Sequence, residues 1–218
     1  MVARVSAGCP PEVIVRGYGT LAELMEISCD AWVVGPGLGP LGEAETAALL
    51  RLLERGKIPC VVDADALNAV ARAEAVARLP VGHVITPHPG EFRRLAPDLD
   101  GSTRESAARV FADRTSPVLL LKGARTLVTA AGQPLWCNAT GTPGMACGGQ
   151  GDVLSGVIGA LLAAGSPSLE AAARGAWLCG RASEIALSSR MLSEESLLPQ
   201  DTLAHLGAAF LDWREQGR

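Results

Sequence analysis

Five glycines fall within eleven residues of the segment GTPGMACGGQGD, residues 141–152: Gly141, Gly144, Gly148, Gly149 and Gly151. Positions without a Cβ let a backbone close on a ligand and turn its N–H groups toward it. The segment runs into VLSGVIGALLAAG, a helical stretch, and a helix N-terminus favours negative charge. Together these make an anion site suited to a phosphate. Asp152 stands at the start of that helix. A carboxylate there either caps the helix or, beside a phosphate, takes the proton from a hydroxyl nucleophile. A glycine-rich turn that packs the helix tightly on a sheet also fits the local pattern.

Four weaker signals accompany it, each just after a strand-like run. GPGLG (residues 35–39) is a common kind of strand-to-helix turn. DADALN (63–68) offers two acids and an Asn that could touch Mg²⁺ or a ribose, or cap the next helix. TPHPGE (86–91) uses two prolines to fix a loop carrying His88 and Glu91. KGART (122–126) puts Lys122 where it could neutralise a phosphate, with Gly123 permitting close approach. Arg125 could stack on a base or face solvent. His83 and His205 have no supporting context and read as structural.

The elements that must position these loops follow from hydrophobic periodicity. Short β-branched or apolar runs at 31–35, 59–64, 83–86 and 117–121 alternate with helical patterns at 42–55, 67–79 and 103–115. A short helical turn falls near 91–95, and Ser102 with Glu105 offers a cap for the next helix. The four runs show little alternation, as expected of parallel strands covered on both faces. Residues 127–130 and 134–137 read as a hairpin at the end of the sheet. Helices at 152–164, 169–187 and 201–213 close the chain. This order predicts an α/β fold, a mostly parallel sheet with helices on both faces and a late β-hairpin. It forms one domain over residues 1–218. All four loops then lie at the carboxyl edge of the strands, where open α/β sheets bind ligands.

Composition removes several classes. With 48% hydrophobic and 19% charged residues the chain is not disordered. A net charge of −4 leaves no basic footprint for nucleic acid. No apolar run reaches membrane-spanning length, so no membrane partner is expected. The first residues lack the long apolar core of a signal peptide. Aromatics are 4%, so Ala, Leu and Val must build the core. The cysteines at 9, 29, 60, 137, 147 and 179 show no CxxC spacing and flank no His cluster. They read as reduced, mostly buried thiols of a cytoplasmic protein.

The motifs VVGPGLG, VVDADALN, ITPHPGEFRRL, LLLKGARTLV and GTPGMACGGQGDVLSGVIGALLAAG, in that order, resemble the ADP-dependent NAD(P)H-hydrate dehydratases of the ribokinase-like superfamily. The resemblance covers about residues 31–165, with similar helices continuing beyond. It implies repair of hydrated NADH or NADPH, in the S epimer. The ring hydroxyl is phosphorylated by ADP (or ATP) with Mg²⁺, and phosphate is then eliminated. Phosphate leaves far more readily than hydroxide. The resemblance makes Asp152 the base, and makes Gly39, His88 and Asp152 contacts of the hydrated dinucleotide. It makes Lys122, Gly123, Ala124, Arg125, Thr126, Gly149 and Gly151 the nucleotide segment, and it places Glu91 where related kinases organise Mg²⁺. It also implies a homo-oligomer, often a tetramer.

Two departures accompany the resemblance. Family members usually begin with a further glycine-rich strand–helix segment. This chain starts after it, and the strand-like residues 12–16 are expected to be a remnant of the stretch just downstream of that segment. The loop reads GGQGD where the family usually has GGTGD, so Gln150 stands next to the phosphates in place of a small hydroxyl residue. Two alternatives share the glycine loop and Asp152: a small-molecule kinase of the same superfamily, and a nucleotide-binding chain without catalysis.

Overall fold

A computed structural model describes residues 7–188 and 192–216. Four parallel strands form one side of a six-stranded sheet: β1 (Trp32–Val34), β2 (Cys60–Val62), β3 (Val84–Ile85) and β4 (Val118–Leu121). The hairpin strands β5 (Leu127–Thr129) and β6 (Trp136–Cys137) continue it antiparallel, and the order across the sheet is β1-β2-β3-β4-β5-β6. Sequential parallel neighbours joined by right-handed crossovers place all their connecting helices on one face. Those helices are α1 (Glu43–Glu54), α2 (Ala64–Arg72), α3 (Pro89–Leu95) and α4 (Arg104–Arg114). The other face is covered by α5 (Gln150–Ala163), α6 (Ser168–Ser188) and α7 (Pro199–Gln216).

Successive strand residues feed opposite cores. Cys60, Val62, Ile85, Leu119 and Leu121 pack with α1–α4 around Leu49, Leu53, Leu67 and Phe111. Val61, Val84, Val118 and Leu120 pack with α5–α7 around Ile158, Leu162, Leu178 and Ala182. Both faces are apolar because both are covered, which is why the strands carry no polar alternation. Each fully buried Leu contributes about 1.5–3 kcal/mol over leaving it in water.

Three boundaries differ from the periodicity. The helix expected over 67–79 begins at Ala64, because Asp63 caps it by accepting from Ala64 N at 2.9 Å. It ends at Arg72, where Glu74 takes a left-handed φ of 50°. Glu74 N then donates to Ala71 O and Ala75 N to Val70 O, a Schellman-type stop built without glycine. Thr103, not Ser102, caps α4, accepting from Ser106 N at 3.3 Å. Residues 12–16 form no strand; they run as largely exposed chain outside the sheet.

The thiols also differ from expectation. None of the six is in a disulfide, but only Cys60 and Cys179 are buried, and Cys137 is exposed on β6. Burial pushes the Cys179 thiol up to about 12 and raises Cys60 further.

His83 is 1% exposed, with Nε2 against Leu53 O at 3.0 Å and Nδ1 without a protein partner. Burial lowers its pKa below the ordinary 6.5. Below pH 6.5 the unfolded chain therefore binds a proton that the folded chain refuses, so stability falls as pH drops through that value. Urea midpoints measured from about pH 7.5 to 5 are expected to decline below about pH 6.5, and His83→Gln should flatten that part of the curve. An unchanged slope in the variant would remove His83 as its cause.

Candidate functional site

The carboxyl edge gathers the four strand-end loops because β1–β4 all point the same way. Gly35 follows β1 with φ +129°, and a Cβ there would sit 1.7 Å from Asp63 O. Only glycine lets the GPGLG turn lie against the end of β2. Asp63 N donates to Val34 O at 3.0 Å, so the two strand ends are joined at that point.

Asp63 is the hub of the edge. It is 1% exposed. Its Oδ1 accepts from Lys122 Nζ at 2.8 Å as well as from Ala64 N, and its Oδ2 accepts from Ser155 Oγ at 2.8 Å. One carboxylate thus ties the end of β2 to the end of β4 and to the second turn of α5. Lys122 Nζ also lies 3.9 Å from Glu91 Oε2.

TPHPGE is a helix start. His88 is the N-cap of α3, with Nδ1 accepting from Gly90 N at 2.9 Å and from Glu91 N at 3.3 Å. Glu91 reciprocates, its Oε2 accepting from His88 N at 2.8 Å, and Pro89 presets the first turn. With Nδ1 accepting, the neutral ring carries its proton on Nε2, 3.5 Å from Glu91 Oε1. Half of the His88 side chain remains exposed at the edge, while Glu91 is buried. Lys122 N donates to Pro87 O at 2.9 Å, which ties this loop to KGART.

The glycine loop is held at both ends. Gly141 N donates to Glu184 Oε1 at 2.8 Å, and Glu184 is fixed by Arg181 Nη1 at 3.1 Å. Arg181 Nε in turn donates to Asp212 at 2.6 Å, and these hydrogen bonds raise its pKa. At the other end Gly149, with φ +92°, is the N-cap of α5, so the helix starts at Gln150 rather than at 152. Gly151 faces the hub: a Cβ there would sit 3.4 Å from Lys122 Nζ and 3.7 Å from Asp63 Oδ2. Asp152, third residue of α5, is exposed.

Gln150 does not face the hub through its side chain. It is buried, and Nε2 donates to Thr202 Oγ1 at 3.0 Å. Thr202 lies 2.9 Å from Ser183 Oγ, which donates to Cys179 O at 2.9 Å. Because the Ser183 proton is spent on Cys179, Thr202 must donate to Ser183. The relay fastens the first turn of α5 to α6 and α7.

KGART is an exposed loop anchored from below. Gly123 has φ +140° and Arg125 φ +55°, and Thr126 Oγ1 donates to Gly123 O at 3.2 Å. Arg104, in the first turn of α4, donates to Ala124 O at 2.7 Å and to Lys122 O at 3.3 Å. Gly39, at the far end of the edge, donates its N–H to Asp65 Oδ2 at 2.7 Å. Lys122 and Gly151 are therefore brought to Asp63, with Glu91 on the other side of Lys122 and His88 reached through Glu91. Gly39 lines a separate cleft beside α2, which includes neither His88 nor Asp152. Ser155 and Arg104 belong to the site without having been expected from the sequence. Ser155 had a signal, lying four residues after Gly151 on the same helical face; Arg104 had none.

The donor set bears on a metal. Among the described residues no three His, Cys, Asp or Glu side chains converge as a cage. Asp63 and Glu91 nevertheless set two carboxylates against the single ammonium of Lys122. The surplus negative charge fits a cation that arrives on phosphates and takes one or two protein carboxylates, the usual habit of Mg²⁺.

A sequence model described as NAD(P)H-hydrate dehydratase matches residues 3–205. A bifunctional NAD(P)H-hydrate repair enzyme of Gloeobacter violaceus is 41% identical over 200 residues, covering 84% of this chain and 39% of that protein. An ADP-dependent (S)-NAD(P)H-hydrate dehydratase of Neisseria meningitidis is 41% identical over 189 residues, covering 80% and 60%. The chain thus spans less than two thirds of these relatives' own lengths. Among solved structures, an ADP/ATP-dependent NAD(P)H-hydrate dehydratase of Bacillus subtilis, co-crystallised with ATP/Mg²⁺, superposes with TM-score 0.70 at 26% identity, over 88% of this chain and 71% of that one. A ribokinase-like superfamily protein of Enterococcus faecalis gives TM-score 0.73 at 26% identity, over 87% and 65%. With a ribokinase-like fold and a family match along nearly its whole length, the chain belongs to the NAD(P)H-hydrate dehydratase family.

Proposed function

We propose that the chain is an ADP-dependent (S)-NAD(P)H-hydrate dehydratase, returning hydrated NADH or NADPH to the reduced cofactor. The observation that carries this reading is the meeting of Gly151, Lys122 and Asp63 at the first turn of α5, beside the exposed Asp152. Backbone N–H groups at that turn and the Lys122 ammonium receive the phosphates of the nucleotide, with Gly149 and the 122–126 loop along its length. Asp152 takes the proton as the ring hydroxyl attacks the terminal phosphoryl group, and AMP leaves. The C–O bond to phosphate then breaks, the neighbouring carbon gives up its proton to the departing phosphate or to water, and the ring double bond returns. His88 and Gly39 hold the hydrated dinucleotide. Glu91 would hold Mg²⁺ borne on the nucleotide, which supplies charge neutralisation at the transferring group.

The shared sheet between the two cores supports reading 1–218 as one domain. On family resemblance the protein acts in the cytoplasm as a homo-oligomer, which sedimentation would test. Hydrated NADH incubated with the protein, Mg²⁺ and ADP is expected to regain the reduced-nicotinamide absorbance. No recovery with either ADP or ATP would overturn the assignment, and a stable phosphorylated product would make the protein a kinase instead.

A further inference from the structure

Beside Gly39 lies a cleft of about 460 Å³, walled by Asp65, Asn68 and Arg72 along α2 and by Arg94 on α3. Its charges are unequal. Asp65 is its one acid and is already committed to Gly39 N at 2.7 Å. Arg94 Nε donates to Asn68 Oδ1 at 3.0 Å, and Arg72 Nη2 reaches Leu41 O at 3.5 Å. Among the described residues no carboxylate is ion-paired with either guanidinium. Each guanidinium carries five N–H donors, so most of both forks remain available inside a concave site. Two such forks suit a phosphate.

The position suits a remote group of a long ligand. Asp63 caps α2 and His88 caps α3, so both helices begin at the carboxyl edge and run away from it. Nine residues of α2 carry Arg72 about 13 Å along the axis, and six residues of α3 carry Arg94 about 9 Å. The nucleotide loop, 122–126, lies on the opposite side, beyond β4. A dinucleotide whose reacting ring sits at the hub must extend its other half somewhere, and this cleft is the cationic recess next to Gly39.

We infer that Arg72 and Arg94 bind a phosphate of the hydrated dinucleotide, well away from the reacting hydroxyl. This rests on the substrate reading given above. Two groups carry that chemistry, the pyrophosphate bridge common to both cofactors and the 2′-phosphate found only in the NADPH form. Arg72→Gln and Arg94→Gln, singly and together, separate them. With ADP saturating, the double variant is expected to raise KM for hydrated substrate by about tenfold or more, with the KM for ADP within about twofold. A rise for hydrated NADPH alone assigns the 2′-phosphate, and a rise for both hydrates assigns the pyrophosphate. Unchanged KM for both substrates would overturn the inference.

Thermal-shift titration with NADPH and NADH reads the same cleft without turnover. If the native protein binds these but turns over no hydrate, the dehydratase reading fails. The arginines are then still decided by whether the double variant loses that binding. Arg72→Lys and Arg94→Lys keep the charge but lose the fork, and should fall between native and Gln if bidentate contact matters.

Discussion

Asp152→Asn is expected to lower turnover of hydrated NADH by about 10²–10⁴-fold, the usual share of a positioned general base. Affinity for ADP should stay within about threefold. The change is isosteric and removes proton acceptance together with the carboxylate charge. Asp152 is exposed in the first turn of α5 and is not the cap, a role Gly149 fills. A helix-start carboxylate at an exposed position is worth about 0.3–1 kcal/mol through the macrodipole. The small loss of stability is therefore expected whichever role Asp152 has, and turnover separates the two readings: a base loses rate, whereas a purely structural acid keeps it. Turnover within about tenfold of native would remove Asp152 as the base.

Asp63→Ala should damage both stability and activity. It deletes the α2 cap, the partner of Lys122 and the acceptor of Ser155 at once. Breaking a buried ion pair costs about 3–5 kcal/mol, but the Lys122 side chain is 20% exposed and can recruit water, so about 2–4 kcal/mol is expected here. Urea unfolding measures it. Asp63→Asn keeps the cap and the serine contact, so it should recover much of the stability while leaving Lys122 less firmly held. The double variant Asp63→Ala with Lys122→Met should be less destabilised than the sum of the singles, because neither member of this pair is left facing an absent partner, although Glu91 still loses its neighbouring ammonium. Strict additivity would mean that the pair contributes nothing.

The strands were legible because each is a short apolar run bounded by turn residues, and β4 shows it most clearly as VLLL. The loops were legible because glycine and proline mark them. What the sequence concealed was pairing. Nothing near Asp63 announces Lys122, 59 positions on, or Ser155, 92 positions on. Those partners are set by strand order and helix phase, which composition does not encode. Gln150 misled for the same reason. Its neighbours in the chain are loop glycines, but its partner Thr202 is 52 residues away on α7. The early end of α2 was hidden because Glu74 performs a turn normally given to glycine. The exposure of Cys137 comes from its place on the outermost strand of the described sheet, which local hydrophobicity cannot reveal.

The distance along the chain between Asp63 and its partners sets an order of events at the ribosome. At about 5–20 residues per second, roughly 3–12 seconds of translation separate the emergence of Asp63 from that of Lys122. Ser155 arrives later still. Until then the nascent chain carries a carboxylate meant for a dry interior with nothing to neutralise it. Closing the strand ends over Asp63 before Lys122 emerges would therefore bury an unpaired carboxylate, at a cost of several kcal/mol that disfavours early closure.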